Sequence, residues 1–102
     1  MSRKLKVNDY VVVTDDSKRY PDYTEMYQRM GLTKYSGSNW HNNYDNRTGQ
    51  IIAIEPYNEF GVELLYGVGI GDVDIIINRD GLKRISKIKY VLLKKELNVK
   101  DF

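Results

Sequence analysis

Apolar and polar positions alternate in several short stretches of this chain, and a segment of a different kind interrupts them. In the run from Val7 to Thr14 (VNDYVVVT), Val7, Val11 and Val13 share one parity among β-formers. That pattern predicts a strand at Tyr10–Thr14, entered through an Asn8-Asp9 turn and ended by Asp15-Asp16-Ser17. The β pattern resumes at Gly49. Gln50–Glu55 reads as a strand, Pro56-Tyr57-Asn58-Glu59 as a turn, and Gly61–Val68 as the returning arm of a hairpin. Gly67, Gly69 and Gly71 recur at period two, where a missing side chain suits a bend, a bulge or a close backbone approach. Ile75, Ile76 and Ile77 form the body of a strand at Asp74–Asn78, Arg79-Asp80-Gly81 turns the chain, and Leu82–Ile85 makes a fifth strand.

The interruption, residues 15–48, divides in two. From Pro21 to Gly31 the chain reads as a short helix: Pro21 suits a first helical position, Asp22 and Glu25 favour the positive end, and Gly31 is a stop. Tyr23, Met26, Tyr27 and Met30 fall at i, i+3, i+4 and i+7, an apolar stripe expected to pack onto the strands. Leu32 to Thr48 has no period, and its Ser36-Gly37-Ser38-Asn39 and Asn42-Asn43 clusters mark loop. Loops this long in a compact domain tend to carry function. The segment Lys87–Asn98 admits two readings. Ile88, Val91, Leu92 and Leu97 can form a helical face, whereas Tyr90–Leu93 as an edge strand would allow dimerisation by strand pairing.

Length and composition narrow the class. The 102 residues correspond to one domain with 15–48 as an insertion and 86–102 as a C-terminal extension, and 41% hydrophobic with 29% charged residues suit a globular chain. There is no cysteine, which removes disulfides, zinc-thiolate sites and thiol catalysis and fits a reducing compartment. No apolar run has the length of a signal peptide or a bilayer span, so a cytoplasmic location without membrane contact is expected, and the Asn46-Arg47-Thr48 sequon is incidental. The net charge of +2 is unevenly spread: eight Lys/Arg against three acids from Arg79 onward leave +5 there and −3 over residues 1–78. A run of that kind is either a solvated face or the footprint of an anionic partner.

Several motifs carry a resemblance. Val7-Asn8-Asp9-Tyr10-Val11-Val12-Val13, Thr48-Gly49-Gln50-Ile51-Ile52-Ala53-Ile54, Leu65-Tyr66-Gly67-Val68 and Asp80-Gly81-Leu82 are similar to the strand grammar of SH3-like, KOW-type small barrels. The resemblance covers residues 7–85 without the insertion. It implies a mainly β, five-stranded SH3-like barrel with a short helix and long loop inserted between strands 1 and 2, and a basic C-terminal strand or helix. Asn8 stands where the family has glycine, and the first inter-strand loop is longer than the family needs. Tyr20-Pro21-Asp22-Tyr23 and Met30-Gly31-Leu32 also resemble segments of small accessory proteins carried by bacteriophages, which implies action in a host cytoplasm, on a bacterial host protein.

Candidate chemistry is sparse. His41 is the one histidine, so neither a nucleophile–base–acid triad nor a multi-histidine metal site is at hand, and no enzyme and no cofactor are expected. Asp15-Asp16 reads as a strand-ending turn; Asp72 and Asp74 would share a face of an extended segment but lack a third ligand. Gly67-Val68-Gly69-Ile70-Gly71 lacks the Lys-Ser/Thr of a phosphate loop. Binding fits better. Tyr35, Trp40, His41, Tyr44 and Arg47 are residue types that anchor protein interfaces; Trp40 divides between lid and interface, while His41, Tyr44 and Arg47 are expected to be exposed. The alternative is a nucleic-acid surface using Lys83, Arg84, Lys87, Lys89, Lys94 and Lys95 for charge and Tyr90 for stacking. A third option is a small-ligand pocket beneath the insertion.

Overall fold

The computed structural model describes residues 4–20, 24–34, 43–59 and 61–100, of which 24, 59 and 94–100 are described by backbone alone. Five strands, β1 (Tyr10–Val13), β2 (Thr48–Glu59), β3 (Val62–Ile70), β4 (Val73–Asn78) and β5 (Leu82–Ile85), form one antiparallel sheet in the order β4-β3-β2-β1-β5. β1 pairs with β2 on one side and β5 on the other, so the last strand returns beside the first. β4 and β5 are the two edges and are not hydrogen-bonded to each other.

Two helices lie outside the sheet, α1 (Thr24–Arg29) in the interruption and α2 (Lys87–Lys100) after β5. Helix is thus the outcome at the ambiguous C-terminal segment, and pairing through a Tyr90–Leu93 edge strand falls away. Ser86 starts α2 as its cap, its Oγ accepting from the Lys89 N–H at 3.1 Å. Gly31 ends the α1 segment at φ +74°, a conformation glycine takes without penalty.

The strand boundaries differ from expectation in two places. Pro56–Glu59, read as a turn, lies inside β2. Asn58 takes φ 59° and the register with β3 shifts between Pro56 and Glu59, so a bulge accommodates a proline that cannot donate to the ladder. A second shift between Ile51 and Ala53 bends the same long strand. β3 in turn runs on through Gly67 and Gly69 to Ile70. Gly49 marks where β2 crosses β3 closely: a Cβ there would lie 2.6 Å from the Gly69 carbonyl oxygen and 2.7 Å from Val68 Cγ1.

The sheet buries apolar side chains on both faces. One cluster joins Leu5, Val11, Val13, Tyr44, Ile51, Tyr66, Val68, Ile70, Ile75, Ile77 and Leu82. The other joins Met26, Tyr27, Met30 and Leu32 to Leu65 and Ile76. The triple-isoleucine run is therefore split by strand alternation, Ile75 and Ile77 to the first core and Ile76 to the second. Each such side chain contributes about 1.5–3 kcal/mol on burial. The α1 stripe packs as expected through Met26, Tyr27 and Met30; Tyr23 lies outside the described residues.

The interruption is fastened along the outer edge of β4. Arg19 bridges Ile77, the Tyr20 N–H donates to the Ile76 carbonyl at 2.7 Å, and the Asp74 N–H donates to the Lys34 carbonyl at 2.7 Å. Asp74, 5% exposed, also accepts from the Thr33 and Lys34 amides at 3.2 and 3.1 Å. A strand edge that would otherwise expose free amides is thus covered by the chain's own insertion. Asp74 works as this clamp while Asp72 sits in the β3–β4 turn, so the two carboxylates do not share a strand face.

Candidate anion-binding face

The residues proposed for the aromatic insertion divide sharply. Tyr35, Trp40 and His41 lie outside the described residues. Tyr44, expected to be exposed, is 4% exposed and belongs to the main core. It is buried because the two ends of the interruption are stitched together around it. Its N–H donates to Asp16 Oδ1 at 3.1 Å, and the Asp16 N–H donates to Asp45 Oδ1 at 2.6 Å. Asp16 also pairs with Arg19 at 3.3 Å, and the Arg19 guanidinium lies 5.1 Å from the Tyr44 ring centre. Arg47 is exposed as expected, its guanidinium 6.0 Å from the same ring.

Asp15 and Asp16 mark a strand-ending turn, now with defined roles. Asp15 caps a 3-10 turn at Asp16–Lys18 by accepting from the Ser17 hydroxyl at 2.6 Å and the Ser17 N–H at 3.0 Å. Those two hydrogen bonds, the hydroxyl first, hold its carboxyl below the ordinary 3.8. Among the described residues no group of three or more acids or histidines converges as a metal site.

The basic third of the chain is arranged more informatively. Lys83, Arg84, Lys87 and Lys89 are exposed, while Lys94 and Lys95 lie on the α2 backbone. Register decides their directions: Lys83 opposes Val12 and Arg84 opposes Val11, so consecutive β5 residues point to opposite faces of the sheet. Arg84 leans over the rim on the core side, where its Nε lies 3.5 Å from Asp9 Oδ2. There it meets the N-terminal arm. Lys4, Lys6, Asp9 and Arg84 line a small cleft of about 120 Å³, which sets three cations against one carboxylate. That carboxylate is already engaged, since Asp9 Oδ2 accepts from the Lys6 N–H at 2.9 Å as well as facing Arg84. Lys4 and Lys6 were missed by the sequence reading, because only the β1–β5 pairing carries the N-terminal arm to Arg84.

Tyr90 already has an aromatic neighbour within the chain. Its ring is half-buried and lies against Tyr10, with ring centres 4.6 Å apart and planes 39° apart. The pair fastens α2 to the sheet through β1.

Compared with protein-family models, curated proteins and solved structures, the chain gives no match. No helix among the described residues is long and apolar enough to cross a membrane.

Proposed function

We propose that this chain is a non-enzymatic binding module built on an SH3-like barrel, and that it binds the phosphate backbone of nucleic acid along the Lys4–Lys6–Arg84 edge. The SH3-like reading is supported by the sheet order, in which β1 pairs with both β2 and β5, and by the long bent β2; the sheet itself is open, with β4 and β5 as unjoined edges. The binding reading rests on one observation: cations from opposite ends of the sequence line a cleft whose single acid is already engaged. Lys87 and Lys89 are exposed as well and add to the positive field of the C-terminal third, while Lys83 points to the other face of the sheet. Protein recognition through the insertion is the second reading: Arg47 is exposed, whereas Tyr44 is buried in the main core.

Fluorescence anisotropy with a short single-stranded oligonucleotide across a salt series tests this. Three phosphate contacts on a single strand give a slope of about −2 for log K against log salt. The Lys4→Gln/Lys6→Gln variant, altered at exposed side chains, is expected to lose about two-thirds of that slope and roughly tenfold in affinity at about 50 mM salt. Absence of binding by the unaltered chain at that salt, or equal binding by the variant, overturns the proposal.

A further inference from the structure

A larger cavity, about 550 Å³, shares Lys4 with the cleft and is otherwise lined by different residues. Its size falls within the range of small-molecule sites. Leu64 and Tyr66 of β3 line it together with Lys4, Lys18 and Arg79, three cations drawn from the N-terminal arm, the 3-10 turn after β1 and the β4–β5 turn. Glu63 and Asp80 also line it, so the charge balance there is one positive unit. Arg79 is held in place, its NH1 donating to the Leu82 carbonyl at 2.7 Å.

Tyr66 gives the cavity its direction. The residue is 4% exposed, yet it lines the cavity, and its hydroxyl has no hydrogen-bond partner among the described residues. The ring is buried while the hydroxyl can be reached from the cavity, where a ligand or water can take its O–H. Burial pushes the phenol above its ordinary 10.0, opposed by the nearby Arg79 charge, so near neutral pH it is an O–H donor. An apolar wall, a hydroxyl donor and three cations against two acids in the lining suit an acceptor-rich anionic group attached to a flat apolar body.

We propose that this cavity binds a small organic anion, a phosphate or carboxylate carried on an aromatic ring, with the ring against Leu64 and Tyr66 and the anion among Lys4, Lys18 and Arg79. The site overlaps the nucleic-acid edge at one residue: of the four cleft residues only Lys4 is shared. An NMR titration of the full chain with phenyl phosphate, run beside inorganic phosphate and benzyl alcohol, separates the contributions. Phenyl phosphate is expected to shift amides of Leu64–Tyr66 and Arg79–Gly81 and to bind more tightly than either control. Tyr66→Phe, which keeps the ring, is expected to weaken it by about tenfold, the value of one hydrogen bond to a charged group. Lys18→Gln, at an exposed side chain, weakens it less. Equal binding of inorganic phosphate at the same amides, shifts confined to Lys6 and Arg84, or unchanged affinity in Tyr66→Phe each overturn the proposal.

Discussion

The two helical segments each carry a set of apolar residues, and the sets end in opposite surroundings. Met26, Tyr27 and Met30 of the α1 segment are buried against Leu65 and Ile76, whereas Ile88, Val91 and Leu92 of α2 are 75%, 41% and 57% exposed. The difference lies in how each helix is tethered. On both sides of α1 the chain is hydrogen-bonded to the β4 edge, through Tyr20 before it and Thr33 and Lys34 after it, which holds the stripe over the sheet. α2 is anchored near its start, by the Ser86 cap and the Tyr10–Tyr90 ring contact. An amphipathic period therefore specifies which face a helix offers, and the connections at its ends decide whether anything covers that face.

Substitutions sharpen the contrast. The largest effect is expected at Ile76, which is fully buried beneath α1: Ile76→Ala leaves a cavity between helix and sheet and costs about 2–5 kcal/mol in urea unfolding. A loss below about 1 kcal/mol would mean that the helix does not rest on β4 in solution. Next comes the tether itself. Asp74→Ala strips the Thr33 and Lys34 amides of their acceptor and costs about 1–3 kcal/mol. Hydrogen exchange at those two amides, faster in the variant while β1 and β5 stay protected, ties the loss to the clamp. The smallest effect belongs to α2. Ile88→Ser with Leu92→Ser is expected to change global stability by no more than about 0.5 kcal/mol, because both side chains are already in water. A fall of more than about 1.5 kcal/mol would show that α2 is covered as fully as α1.

Much of the strand pattern was legible. Tyr10–Val13, Val73–Asn78 and Leu82–Ile85 lie where alternation and turn residues place them, because each is short, bounded by turn chemistry and buried on the core face. The Pro56–Glu59 bulge was not legible: a proline beside asparagine has the composition of a turn, and only pairing with β3 converts it to strand. The candidate sites show the same limit. Tyr44 has the composition of an interface residue, and the Asp16–Arg19–Asp45 stitching that buries it joins positions remote in sequence. Tyr90 likewise found its aromatic partner within the chain.

By itself the sequence determined the β-rich character, the position of the apolar stripe around α1, the absence of thiol chemistry and the concentration of positive charge after Arg79. These are local or compositional properties, set by side-chain identity and period. Only the tertiary structure decided that Lys4 and Lys6 stand beside Arg84, that Asp74 is a clamp, and that Tyr66 lines a cavity with its hydroxyl unpaired among the described residues. Each of these depends on strand order and register, which bring distant residues together through backbone pairing, and neither composition nor period encodes which strand lies beside which.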